Sequence, residues 1–398
     1  MAACGSGSEE GGDGPIELSY WTSATEPKVR AATEEIIADF EDANPNITVD
    51  HQALPFNEYF EKVTIAFGGG NPPDVLWVDS TMTTAYGDQG LLTPLDDYLT
   101  EEDVNDFLPN PLEDMTYNDE IQSLALHQST EALVYVKSVV EEAGVTPPTS
   151  YEDGWTFDEM VEAMHAVVDS GIEWGYAPTY GIGQYSVYPF IYELGGSVYN
   201  QEAEAFQGYL DSPETIDAVR KWASLYTTEG LAPAEVLPDM LGTKQLAFQE
   251  TNPFVVVDVN EKYPDVELGV APLPCDEQCA VASGGWHVGI SQASEHQEAA
   301  WKLVDALAGV DGAARWSEAT HYLPARQSAY DANASWIEEQ PWSVFWEGLN
   351  EHAVPRPRTA RFQLYADEID AVLRDASRGT DPEAGLQRAA EKLEAAAE

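Results

Sequence analysis

Basic residues are what this chain has least of. Only 18 Lys and Arg stand against 71 Asp and Glu, so the formal net charge is −53 over 398 residues. A chain of that sign neither neutralises nucleic-acid phosphates nor adheres to an anionic membrane through basic side chains. Long hydrophobic runs are missing too, and no apolar stretch approaches the roughly 20 residues that a bilayer crossing needs. Enzyme signatures are equally scarce. H-E-x-x-H and G-x-S-x-G do not occur, and Gly68-Gly69-Gly70 runs into Asn71-Pro72-Pro73 rather than a phosphate-binding lysine. No D-x-[DN]-x-[DN]-G calcium loop is found, and with 71 acids, carboxylate pairs alone nominate no glycosidase site. The sequence therefore predicts no catalytic residue, no metal ligand set and no cofactor.

What is present is material for a core. Hydrophobic residues make up 43% and aromatics 11%, with 11 Trp, far from the composition of a disordered acidic chain. The length favours two lobes, because single cores stop growing near roughly 250–300 residues. The acids are dispersed, as at Glu9-Glu10, Asp96-Asp97, Glu101-Glu102-Asp103 and Glu338-Glu339. They read as a solvated surface that keeps the protein soluble in high salt, and they favour neutral or cationic ligands over anionic ones.

The three cysteines differ in kind. Cys4 lies in Ala2-Ala3-Cys4-Gly5 before a Gly-, Ser- and Glu-rich stretch reaching Gly14. Small residues before a cysteine and a flexible tether after it resemble the end of a bacterial lipoprotein signal, which predicts acylation at Cys4 and a tether over 1–14. Cys275 and Cys279 frame Cys-Asp-Glu-Gln-Cys. With Cys4 acylated they are an even pair that an exported compartment would oxidise; a metal there would have to draw on Asp276, Glu277 and His287.

From Pro15 the pattern alternates. Ile16, Leu18 and Tyr20 have strand spacing, Ser23-x-x-Glu26 with Pro27 reads as a capping box, and Val29, Ala32, Ile36, Ile37 and Phe40 line one helical face. Ile47 to Ala53 and Asp74 to Val78 are further strands, giving a β-α-β-α-β opening and an α/β fold. Beyond Leu126, helices are predicted at Thr156-x-x-Glu159, at Ser212-Pro213, at Ser294-x-x-Gln297, over Phe362 to Ser377 and from Pro382. Strands are predicted over Phe254 to Val259 and Leu268 to Ala271.

Four segments together resemble the solute-binding proteins of ABC importers that carry sugars and oligosaccharides. They are Leu18-Ser19-Tyr20-Trp21 through Asn44-Pro45; Asn71 to Asp79 with Gly90 to Leu99; Leu124-Ala125-Leu126-His127 to Lys137; and Gly284 to Ser291 with Glu298 to Leu303 and Tyr322-Leu323-Pro324-Ala325-Arg326. One departure is that the family's Tyr-Asn-Lys ending of the crossing strand reads Tyr135-Val136-Lys137. The resemblance implies a two-lobed periplasmic-binding-protein-like fold with hinge strands and an interlobe cleft. The lobes would be 15–126 with 279–325 and 127–278 with 326–398. It also implies a sugar ligand, with polyols or glycerol phosphates as the alternative within the class and a glycoside-active enzyme or a cell-surface carbohydrate-binding scaffold as the alternatives outside it, an ABC permease as partner, a monomer, and a place outside the membrane, held by the lipid on Cys4.

A sugar presents hydroxyl edges and apolar C–H faces, so its cleft needs aromatic platforms beside planar polar groups. Turns at strand C-termini are where α/β sheets bind ligands, which nominates Trp21 and Thr22, Phe56 and Asn57, and Asp79 and Ser80. Each has an ordinary alternative, such as a helix cap for Asp79. Gln128 sits at the lobe crossing, and Tyr185 and Tyr188 follow Gly181-Ile182-Gly183 with second-lobe core as the alternative. The resemblance adds Asn252 and Phe254. Trp286, flanked by Gly284-Gly285, is the strongest single candidate, and Arg326 is expected either to clamp ligand oxygens or to form a structural ion pair.

Overall fold

The structure, a computed structural model, describes residues 14–397 apart from Tyr180, and not the side chain of Asn57. Cys4 and its predicted acylation lie outside the described residues. The chain opens as β1 (Ile16–Thr22), α1 (Pro27–Ala43), β2 (Ile47–Ala53), α2 (Phe56–Gly68) and β3 (Val75–Asp79). The buried residues of α1 are Val29, Ala32, Thr33, Ile36, Ile37 and Phe40, the three- and four-residue spacing of one helical face. In β3, Val75 to Val78 are all buried, as befits a strand covered on both sides.

β1 pairs in parallel with β2 and with β3. The strand Trp286–Ile290 runs antiparallel to β3 and carries Leu124–Ala125 on its far side, completing a five-stranded sheet. A second sheet has the order Leu268–Ala271, Ala132–Val136, Leu246–Thr251, Trp174–Pro178. Each sheet has its own buried cluster, the first around Tyr20, Trp77 and Trp316, the second around Tyr176, Trp222 and Phe248.

Three stretches of chain pass between the sheets side by side. Ser129 N donates to Gly284 O at 2.7 Å, Gly284 N returns a bond to Ser129 O at 3.1 Å, and Gln128 N donates to Leu323 O at 2.8 Å. The paired glycines serve this close approach: a Cβ on Gly284 would overlap the Arg356 guanidinium, and one on Gly285 would overlap the His127 carbonyl. Such a three-stranded passage between two independent cores is a hinge.

Some local readings change. The predicted strand Phe254 to Val259 is instead part of a helix, Pro253–Lys262. Asn252 caps it by accepting from Phe254 N at 3.0 Å, and Pro253 occupies its first turn. That cap and proline outweigh the β-branched run Val255-Val256-Val257. The expected Ser23 capping box does not form: α1 starts with no side-chain cap, and Ser23 Oγ has no hydrogen-bond partner. The Thr156–Glu159 box does form, and Ser212 Oγ caps its helix at Thr215 N as read. Helices Gln327–Ile337 and Trp342–Glu351 were not foreseen.

Candidate functional site

The register of the first sheet places Trp286 opposite Asp79, at the C-terminal ends of β1 and β3. The first turn and a half of α2 sits over the same end and offers Phe56, Tyr59 and Phe60, positions i, i+3 and i+4 on one face. Their rings surround the indole. Phe60 stacks on Trp286 at a centroid distance of 5.8 Å, Trp77 lies at 5.2 Å, and Phe56 and Tyr59 present edges at 6.2 and 5.7 Å. Tyr59 is buried and donates to Trp77 O, so it anchors the group from beneath. Phe56 is 52% exposed and Trp286 is half-buried. An exposed ring beside a half-buried indole is an apolar platform open to a flat C–H face.

Polar groups from both lobes meet beside this platform. Arg356 belongs to the segment after the short strand Ala353–Val354 and is 8% exposed. Its Nε donates to Ser283 O at 3.0 Å and its Nη2 to Ser80 Oγ at 2.9 Å, with Asp79 Oδ1 at 3.5 Å. The guanidinium also lies 5.0 Å from the ring centre of Tyr185, on the second lobe. Arg358 reaches Asp114 at 2.8 Å and Glu113 at 2.6 Å, Lys28 meets Glu261 at 2.5 Å, and Phe254 stacks on Tyr322 at 6.0 Å. Three of the chain's scarce cations therefore bridge the lobes, two of them from one short segment.

The other expected residues fall into distinct settings. Trp21 is half-buried against the first core. Thr22 is fully buried, its Oγ1 shared between His51 Nε2 at 2.9 Å and Ala24 N at 3.2 Å. Asp79 caps the following turn, accepting from Thr81 N at 3.0 Å and Thr81 Oγ1 at 2.6 Å, while its other neighbour is Arg356. Gln128 is buried at the hinge and donates to Pro324 O at 3.2 Å. Tyr188 is second-lobe core, its hydroxyl donating to Pro355 O. Asn252 is a buried helix cap. Arg326 takes its structural alternative: at 1% exposure it donates to Ala308 O, Asp103 O and Asp106, and it covers the Phe107 ring at 3.7 Å. Its partners Ala308, Asp103, Asp106 and Phe107 all belong to 15–126 and 279–325, so the guanidinium is locked against the first lobe. Cys275 and Cys279 form a disulfide, and Asp276 within that loop accepts from Phe157 N at 2.7 Å, capping the helix Phe157–Asp169.

Three residues that the sequence reading passed over lie at or beneath the cleft: Arg356, Glu131 and Glu250. Three arginines within Arg356 to Arg361, in a chain with 18 basic residues, were a usable signal for the first. Glu131 and Glu250 are both fully buried, the first just before the strand Ala132–Val136 and the second within Leu246–Thr251. Loss of water pushes the Glu131 carboxyl up to about 8 and Glu250 well above the usual range. Burial likewise holds His127 down to about 4 and His287 down to about 3, so both rings are neutral. His127 stacks on Trp316 at 4.9 Å, and His287 Nδ1 lies 3.1 Å from Ser123 Oγ. Among the described residues no group of three or more His, Cys, Asp or Glu is arranged to hold a metal ion, and no helix is long and apolar enough to cross a membrane.

Comparison with known proteins gives a consistent result. The family model described as bacterial extracellular solute-binding protein matches residues 23–314. A maltotriose-binding protein of Pyrococcus abyssi is 26% identical over 314 residues, 76% of this chain and 63% of that protein. An ABC substrate-binding protein of Listeria monocytogenes, solved with cycloalternan, superposes with a TM-score of 0.85 at 22% identity, covering 96% of this chain and 99% of that one. The GacH receptor of Streptomyces glaucescens, solved unliganded and with acarbose, gives 0.84 at 22% identity over 95% and 98% of the two chains. These likenesses establish the two-lobed α/β fold.

Proposed function

We propose, from the premise that this chain belongs to the bacterial extracellular solute-binding proteins, that it captures a sugar or oligosaccharide between its lobes and delivers it to an ABC permease. The observation that carries this reading is the ring platform of Phe56, Phe60 and Trp286 set beside Asp79, Ser80 and Arg356. Rings take the apolar face of a pyranose, while a carboxylate and a guanidinium take its hydroxyls in pairs. Tyr185 and Phe254 supply aromatic surface from the second lobe. A ligand that touches both lobes gains contacts only when they close, and so shifts the population towards the closed form.

Similar proteins are described with maltotriose, cycloalternan and acarbose, and we carry that ligand class to this chain. Binding held by stacking and short hydrogen bonds, not by long-range charge, survives high salt. Cys4 is proposed as the lipid-bearing residue that tethers a monomer to the outer face of the membrane. The role is binding without turnover.

Thermal unfolding in about 1 M KCl against maltotriose, cycloalternan, acarbose and a panel of monosaccharides tests this. A ligand at 100 times its dissociation constant adds about 2.7 kcal/mol to stability. A shift with one sugar series, with the sugar recovered intact by mass spectrometry, is expected. No shift across the panel overturns the sugar assignment, and smaller recovered sugars overturn the non-enzymatic role.

A further inference from the structure

Among the described residues, Glu131 and Glu250 are a pair of buried carboxyls near the cleft to which sugar binding assigns no task. Glu131 lies between the hinge and the strand Ala132–Val136; Glu250 lies in Leu246–Thr251, two residues before the cap that starts the Phe254 helix. Leu133 pairs with Glu250 and Ala132 with Thr251, so both carboxyl groups fall on one face of the sheet, where they face each other. The two carboxyls are hydrogen-bond partners of each other, which requires a proton between them, and Tyr176 donates to Glu250 Oε2. Two fully buried carboxyls without a cation in contact hold protons, because ionising either strands a charge in a dry site.

The surrounding groups are named by the elements packed against the pair. Tyr176 comes from the strand Trp174–Pro178, Tyr226, on which Glu250 acts, lies beyond the end of the helix Pro213–Ser224, and Tyr185 comes from the helix Gln184–Glu193. The cation acting on the pair is Arg356, which favours ionised Glu131 and whose guanidinium covers the Tyr185 ring. Asp79, across the cleft, acts on Tyr185 and is the acid Arg356 reaches on the first lobe. Arg356 thus stands between two acids on opposite lobes, Asp79, which it reaches, and Glu131, which burial keeps protonated at neutral pH.

We infer that Glu131 and Glu250 form a proton-holding pair that governs the Arg356 bridge, so that lobe closure weakens as the pair ionises. With the pair protonated, Arg356 gives its charge to Asp79 and Ser80 and ties the lobes together. Loss of a proton from Glu131 creates an anion on the second lobe that competes for the same guanidinium. Arg356 turns back onto its own lobe and the bridge to the first lobe is lost. Glu131 ionises before Glu250, since Arg356 stabilises the Glu131 carboxylate and the buried anion then opposes a second one. The window is the alkaline one, between about pH 7 and 9.

This inference rests on the two-lobed binding reading but on no particular sugar, and its test uses the ligand-free chain. Fluorophores on Asp42→Cys and Asp169→Cys, exposed on helices of opposite lobes, report the interlobe distance from pH 6 to 9.5 in about 1 M KCl. In the otherwise unaltered chain the closed population is expected to fall at least tenfold between pH 7 and 9. Glu131→Gln, a permanent mimic of the protonated form, is expected to stay closed throughout, whereas Glu250→Gln keeps the transition. Arg356→Met leaves the pair intact and removes the pH dependence, which serves equally well if Glu131→Gln does not fold. A flat distance in the parent chain, or the same transition in Glu131→Gln or Arg356→Met, overturns the inference. The sugar assignment stands or falls on its own panel, because no sugar enters this measurement.

Discussion

Replacing Arg356 by Met keeps the length of the side chain and removes its charge, which isolates what the guanidinium contributes to closure. In the structure it donates to Ser283 O and Ser80 Oγ and approaches Asp79, at 8% exposure. Hydrogen bonds from a charged group are worth about 1.5–3 kcal/mol each. The bond to Ser283 O lies on the hinge itself and persists in either state, so only the contacts to Ser80 and Asp79 distinguish closed from open. Asp79 recovers water when the lobes part, and its side chain is already 20% exposed, so its share is discounted. The net penalty to the closed state is about 2–3 kcal/mol, or roughly 30- to 150-fold in the closed-to-open ratio. A ligand that needs the closed form then binds weaker by up to that factor. Isothermal titration with whichever sugar of the panel binds, together with the interlobe distance of the free chain, measures both quantities. Unchanged affinity with an unchanged distance would refute the assignment of Arg356 as the bridge.

Other consequences are as specific. Phe56→Ala removes an exposed ring and is expected to weaken sugar binding about tenfold with little change in the unfolding midpoint of the free chain, whereas Trp286→Ala lowers both, because Phe60 and Trp77 pack on the indole. Equal stability losses in the two variants, without loss of binding, would place the platform in the core. Arg326→Met is expected to cost about 3 kcal/mol of stability by removing the buried cation from Asp106 and leaving two carbonyls without their donor, with sugar affinity unchanged in the folded fraction. His127 and His287 are held neutral in the folded chain, so the unfolded chain binds more protons as pH falls below about 6.5. Stability therefore drops between pH 6.5 and 4 by about 1.4 kcal/mol per pH unit for each histidine, measurable as a falling midpoint that flattens in His127→Gln. An unaltered slope in that variant would contradict the buried-neutral assignment.

The first half of the first lobe is legible because its signals are local. Alternation in Ile16 to Thr22, a single helical stripe in α1 and the buried run of β3 each declare themselves within a few residues. The same locality misleads at Phe254 to Val259, where β-branched residues sit behind an Asn-Pro cap that decides the matter. For the site, Trp286 and Asp79 are readable from the rule that ligands gather at strand C-termini, and the structure pairs them in register. Arg326 and Arg356 show the limit. Scarcity of cations marks both as consequential, but whether a guanidinium lines the cleft or is locked away from it depends on partners more than 200 positions away, as with Asp79 for Arg356 and Asp106 for Arg326. Glu131 and Glu250 are two acids among 71, and only the folded sheet shows that both have lost water and face each other.

The central claim is that one ligand is held by both lobes at once. Hydrogen–deuterium exchange on the chain with and without the sugar that stabilises it reads this directly. The account predicts slowed exchange at Phe56 to Phe60 and Gly284 to Trp286 on the first lobe, together with Tyr185, Phe254 and Arg356 on the second. Protection confined to a single lobe, or to neither, would contradict it.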